Sequence, residues 1–107
     1  MFVVQYLQNR QVEFNRLCQA HRVHQLFAFG SSTRSDFDTQ TSDIDLLVQL
    51  DEQDPLERGD LLMALWDKMQ SFFNRKVDLF TDDSIRNAVL RNVVNRDKKL
   101  IYDRAGT

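Results

Sequence analysis

Leu26-Phe27-Ala28-Phe29-Gly30-Ser31 and, after an interval of eleven residues, Asp43-Ile44-Asp45-Leu46 decide how this chain of 107 residues is read. The first stretch is a short apolar run that stops at a glycine, the pattern of a strand buried on both faces. The second opens an alternation. Ile44, Leu46, Val48 and Leu50 fall on one face of a strand running from Asp43 to Leu50, while Asp43 and Asp45 point to the other. Between them, residues 31 to 42 are rich in Ser, Thr and Asp, with Phe37 as the one apolar residue. That composition predicts a loop, with a short helix opening near Ser31 and Ser32.

Outward from this centre the periodicities are helical. Val3 to His24 carries Leu7, Phe14, Leu17, Cys18 and His21 at helical spacing and predicts one amphipathic helix. Asp51 to Asp54 with Pro55 forms a turn. Leu56 to Phe73 places Leu62, Leu65, Trp66, Met69, Phe72 and Phe73 in one apolar stripe, the expected core face of a second helix. Lys76 to Phe80 predicts a third strand. Asp82, Asp83 and Ser84 are helix starters for a helix over Ile85 to Asn95, with Ile85, Ala88, Val89 and Val93 inward. Leu100 to Tyr102 predicts a fourth strand. The order α-β-β-α-β-α-β implies an α/β (α+β) fold, a small mixed β-sheet with helices packed on it. Its length predicts a single domain over residues 1–107.

Composition narrows the function classes. The chain is 42% hydrophobic and 28% charged, with a net charge of −2. That balance argues against a strong electrostatic footprint for nucleic acid or an anionic membrane, but not against a nucleotide. The single cysteine, Cys18, cannot form an internal disulfide and fits a reducing, cytoplasmic compartment. No signal peptide is evident at the start, and no stretch approaches the roughly 20 apolar residues of a membrane span.

The chemistry lies in combination. Glycine after a buried strand lets backbone approach a ligand closely. Ser31 and Ser32 can donate hydroxyls, and Arg34 can add a charge-assisted contact to phosphate. Taken alone, this is an ordinary strand-to-helix turn. Asp43 and Asp45 have Cα atoms roughly 6.6 Å apart on one face, close enough to share a hard cation such as Mg²⁺. Taken alone, they also fit a solvent-facing strand edge. Asp78 sits between Val77 and Leu79, where an acid is out of place unless compensated. A metal shared with Asp43 and Asp45 would compensate it, and so would a solvated edge.

Together, Phe29-Gly30-Ser31 and Asp43-Ile44-Asp45-Leu46 resemble the signature of the DNA polymerase beta-like nucleotidyltransferase superfamily, whose minimal members are single short domains. The resemblance spans nearly the whole chain, and Asp78 matches the third carboxylate of the family. Many minimal members read Gly-Ser-x-Ala-Arg-Gly. Here Gly30-Ser31-Ser32-Thr33-Arg34-Ser35 keeps the arginine but has Thr33 and Ser35 in place of Ala and Gly. The resemblance implies the polymerase beta-like nucleotidyltransferase fold and transfer of AMP from ATP to a hydroxyl. Asp43, Asp45 and Asp78 would be the catalytic carboxylates and hold two Mg²⁺ ions. Gly30, Ser31, Ser32 and Arg34 would bind the triphosphate. Minimal members often pair with a HEPN-domain ribonuclease toxin, so the resemblance also implies an antitoxin that adenylylates a tyrosine of that partner. Two other roles fit the same residues: a non-catalytic antitoxin that covers its partner, and an enzyme acting on a small molecule or RNA end. His21 and His24 lack partners at metal spacing. Arg86, Arg91, Arg96, Lys98 and Lys99 read as a solvated basic face.

Overall fold

The alternation after Asp43 produces a strand that is apolar on both sides. Ile44, Leu46 and Val48 are buried against one layer, and Leu47 is buried against the other. The computed structural model describes residues 1–35 and 37–106; position 36 of the expected loop and position 107 of the expected domain lie outside the described residues. Its strands are β1 (Val23–Phe29), β2 (Ile44–Leu50), β3 (Val77–Phe80) and β4 (Lys99–Asp103). Its α-helices are α1 (Phe2–Leu7), α2 (Gln11–Ala20), α3 (Pro55–Phe73) and α4 (Ala88–Asp97). The strands form one mixed sheet in the order β3-β2-β1-β4. β1 pairs antiparallel with β2 and β4, whereas β2 and β3 are parallel neighbours joined through α3. The expected α/β arrangement is therefore borne out.

One face of the sheet carries the larger core. Val3, Leu7, Phe14 and Cys18 from the first two helices and Leu65, Met69, Phe72 and Phe73 from α3 pack there on Leu26, Ile44, Leu46, Val48 and Val77. The opposite face carries a smaller cluster, in which α4 lays Val94, with Leu90 and Val93, on Phe29, Leu47 and Phe80. α4 covers only part of this face. The remainder, at the end where β1 leaves the sheet and β2 enters it, holds the acids.

The structure corrects three expectations. The long first helix is broken. α1 stops at Leu7, and Gln8 to Arg10 forms a turn before α2. Asn9 is a weak helix former, and the guanidinium of Arg10 donates to the Tyr6 carbonyl at 2.8 Å, holding the end of α1 from outside the helix. β1 then begins at Val23, within the region expected to be helical. Second, Trp66 is not core: it is 43% exposed, and its indole N–H donates to the Val77 carbonyl at 2.7 Å. Third, α4 is rotated from the expected phase. Val89 is 72% exposed, and the buried positions are Val94 and Asp97.

Candidate active site

The site begins where β1 ends. The chain leaves Phe29 and turns at Gly30 with φ of +74°, a conformation that glycine adopts freely and other residues rarely do. A Cβ placed on Gly30 would stand 2.5 Å from Oδ2 of Asp45. Glycine is thus required twice, by the backbone angle and by the carboxylate pressed against it. The following residues form a 3-10 turn over Gly30–Thr33, whose opening N–H groups have no acceptor within the turn. Ser31 is half-buried, and its hydroxyl has no hydrogen-bond partner among the described residues. Ser32 is turned inward. It is fully buried, and its hydroxyl donates to the Phe29 carbonyl at 3.4 Å. Ser31 therefore offers a hydroxyl to a ligand, while that of Ser32 braces the turn.

Asp45 lies at the centre of the acids. In the ladder it is opposite Phe29 of β1 and opposite Asp78 of β3. Directly opposed residues on neighbouring strands bring their side chains together, so two carboxylates meet on one face. Burial, then the charge of Asp78, raises the Asp45 carboxyl to about 6. Asp43 adds to the rise and Arg34 opposes it. Asp43, just before β2, is reached through a cation. The Lys76 ammonium lies 3.7 Å from Oδ2 of Asp43 and 4.0 Å from Oδ1 of Asp78. Lys76 precedes Asp78 by two residues and so shares its face of β3; that alternation was the signal by which the sequence could have shown it.

Arg34 is anchored. Its guanidinium donates to Oδ2 of Asp97 at 2.5 Å, and Arg96 holds the other oxygen of the same carboxylate at 2.9 Å. Hydrogen bonds first from Arg96 and then from Arg34 keep the Asp97 carboxyl below the usual carboxylate range despite its burial. Asp97 thus ties the end of α4 to the 3-10 turn. Nothing in the sequence distinguished it from the surrounding charges. His21 and His24 lie away from the acids: the His21 ring meets the Leu17 carbonyl, and His24 lies 3.6 Å from Asp51 at the opposite end of β2.

The donor set fits a divalent cation. Among the described residues no three acid, thiol or imidazole groups already close on one point. Asp45 and Asp78 form an adjacent pair with raised proton affinity at Asp45, and Asp43 joins them through a mobile-stemmed lysine. A cation here would relieve the repulsion and take its remaining ligands from water and phosphate, as Mg²⁺ does.

Comparison with known proteins places the chain in a family. A family model described as polymerase beta, nucleotidyltransferase matches residues 13–106. A protein of Methanocaldococcus jannaschii, named as a candidate protein adenylyltransferase, is 34% identical over 86 residues, which cover 80% of this chain and 82% of that protein. A solved structure of a candidate minimal nucleotidyltransferase superposes with a TM-score of 0.60 at 27% identity, over 89% of this chain and 92% of that one. A chain in the solved complex of a tri-AMPylated HEPN toxin with MNT antitoxin, from Shewanella oneidensis, matches with a TM-score of 0.54 at 22% identity, over 92% of this chain and 74% of that one. At that identity the likeness is one of fold.

Proposed function

Because the chain belongs to the polymerase beta nucleotidyltransferase family, we propose that it transfers AMP from ATP to a tyrosine hydroxyl of a HEPN-domain ribonuclease and so acts as the antitoxin of that partner. The observation that carries this reading is the meeting of Gly30, Asp45 and Asp78 across three adjacent strand ends. It joins a close backbone approach for phosphate to a carboxylate pair for a cation. The relative named as a protein adenylyltransferase, and the fold shared with one chain of a complex that contains an AMPylated toxin, support a protein as acceptor.

Asp43, Asp45 and Asp78 would hold Mg²⁺. When bound, two such ions supply charge neutralisation on the triphosphate and activation of the attacking hydroxyl. The N–H groups that open the 3-10 turn and the Ser31 hydroxyl receive phosphate oxygens. Arg34, pre-oriented by Asp97, faces the same charge. The acceptor oxygen attacks the α-phosphorus and forms the new P–O bond. The bond from the α-phosphorus to its bridging oxygen breaks, and pyrophosphate leaves. The hydroxyl proton passes to Asp78, the carboxylate at the outer strand. With an acidic protein as a whole and acids at its centre, RNA is disfavoured as acceptor.

The test is thermal. A ligand at about 100 times its Kd stabilises the folded form by ~2.7 kcal/mol, which for a chain of this size raises the melting temperature by about 10 °C. Mg²⁺ with ATP produces such a rise in the wild type, and Asp45→Asn removes most of it. A melting curve that Mg-ATP leaves unchanged rejects the site assignment. Neutralisation of the partner by an Asp43→Ala, Asp45→Ala double variant would instead identify an antitoxin that acts by binding alone.

A further inference from the structure

β3 is an edge strand, and its outer side is closed at all but one residue. The Ile44 N–H donates to the Lys76 carbonyl at 3.1 Å. With the parallel register Ile44↔Val77 and Leu46↔Leu79, this fixes which groups of β3 face inward. Lys76, Asp78 and Phe80 bond to β2, and the N–H and C=O groups of Val77 and Leu79 point outward. Those of Val77 are occupied: the side chain of Gln70 accepts from its N–H at 3.3 Å, and Trp66 donates to its carbonyl at 2.7 Å. Beyond the strand, Ser84 Oγ accepts from the Thr81 N–H at 3.1 Å and donates to the Thr81 carbonyl at 2.8 Å. The backbone pair of Leu79 is left without a partner among the described residues. It opens into a groove of about 460 Å³ lined by Leu62, Met63, Trp66, Asp78, Leu79 and Thr81. Met63 is 70% exposed there, an unusual position for a large apolar side chain beside an open sheet edge.

We infer that this groove receives an extended segment of the acceptor protein, paired antiparallel to β3 at Leu79 alone. The inference rests on the adenylyl transfer proposed above and adds how the acceptor is recognised. In an antiparallel pair one guest residue exchanges both hydrogen bonds with Leu79. Directly opposed residues share a face, so the side chain of this guest residue lies on the α3 side, against Leu62, Met63 and Trp66. It is therefore apolar. The guest residue that follows it stands opposite Asp78 and points to the other face, where the acids are. It is the residue that carries the acceptor hydroxyl. The groove thus selects an apolar residue immediately followed by the hydroxyl residue. The edge supplies main-chain affinity and the pocket supplies side-chain selection, as in other cases of strand addition.

The probe is a set of acetylated, amidated nine-residue peptides with a central Phe-Tyr, incubated with the protein, Mg²⁺ and ATP labelled in the α-phosphate. The Phe-Tyr peptide accepts label. Replacing its phenylalanine with lysine lowers labelling about tenfold, the effect of losing one apolar anchor. N-methylation of the phenylalanine amide, which removes the donor to Leu79, abolishes labelling, while N-methylation of the tyrosine amide, which points away from β3, is tolerated. Met63→Glu in the protein weakens peptide labelling about tenfold on the same ground and leaves the thermal shift with Mg-ATP as in the wild type. Independently of activity, the peptide slows hydrogen exchange at the Leu79 amide by about tenfold or more in protein loaded with Mg²⁺ and AMP-PNP. If Mg-ATP raises the melting temperature but no peptide is labelled, or the lysine peptide and the phenylalanine N-methyl peptide are labelled as well as the parent Phe-Tyr peptide, peptide recognition at Leu79 is overturned while the nucleotide site stands. If Met63→Glu abolishes the Mg-ATP shift, the groove holds the nucleobase and the inference is wrong. Absence of any Mg-ATP shift removes the proposed function itself.

Discussion

Asp45 sits between a backbone that cannot retreat and a second carboxylate. Its raised proton affinity has a defined sign for stability. The folded protein holds a proton on Asp45 more tightly than the unfolded chain does, so this contribution is fully present below the ordinary value of 3.8 and is lost as pH rises through about 6. Asp97 acts in the opposite sense. Its lowered carboxyl contributes stability above the usual carboxylate range, and that stability is lost as pH falls. In metal-free protein at neutral pH, Asp45→Asn therefore raises stability by about 1 kcal/mol, which is ~4–8 °C in melting temperature for a small domain. It also flattens the decline between pH 4 and 6. Thermal melts across that range with a chelator present measure both effects, and a variant that melts below the wild type at pH 7 contradicts the assignment. The same substitution that stabilises the free protein is expected to remove its response to Mg-ATP. That opposition marks a binding site rather than a structural acid.

Among the elements, α3 shows what local sequence fixes. Asp54 caps it by accepting from the Leu56 N–H at 3.1 Å, Pro55 occupies its first turn, and Asn74 ends it in the left-handed conformation at φ 52°. Asp54→Ala should lower stability by about 1 kcal/mol, read as a fall of ~4–8 °C in melting temperature; no change would show that the cap is replaced by water. Trp66 was harder to read. Its position on the apolar stripe is right, but its ring stands at the helix rim because the indole N–H closes the β3 edge, a partner sequence periodicity does not reveal. Trp66→Phe keeps an aromatic ring but loses that bond and part of the indole, and it should cost about 1 kcal/mol or more, visible as a lower midpoint in urea at unchanged slope. The strands β1 to β3 were legible because apolar runs bounded by Gly30, Asp43 and Lys76 admit few other readings. α4 was not, because Val89, Leu90, Val93 and Val94 supply two competing apolar faces. The choice between them is made by Asp97, which must face Arg34, a contact 63 residues apart in sequence. The break between α1 and α2 was hidden for a similar reason: Leu7 and Phe14 keep helical phase across a turn that contains neither glycine nor proline.

For the molecule as a whole, the sheet order places β1 and β2 centrally, so the glycine and Asp45 ride on the two best-supported strands. Asp78 arrives from the edge. The pattern of Asp43, Asp45 and Asp78 was legible, but the Asp45–Asp78 register and the Lys76 bridge between Asp43 and Asp78 required the topology. Among the described residues no helix is long and apolar enough to cross a membrane. The larger core is sealed around Cys18, which is fully buried, and burial pushes its thiol up to about 12. Its reaction with a disulfide reagent at pH 8 should therefore proceed only as fast as the core opens. Rates that rise with urea in step with global unfolding would agree; complete labelling within seconds in buffer would not. The contact between Gly30 and Asp45 also bears on inheritance. Aspartate is already the shortest acidic side chain, so a bulkier residue at position 30 cannot be accommodated by shortening its neighbour while keeping the charge. Gly30→Ala, strained and displacing Oδ2, should be about 1–3 kcal/mol less stable and inert towards Mg-ATP. A selection for restored function starting from that allele should return true revertants at position 30 and no second-site suppressors at position 45.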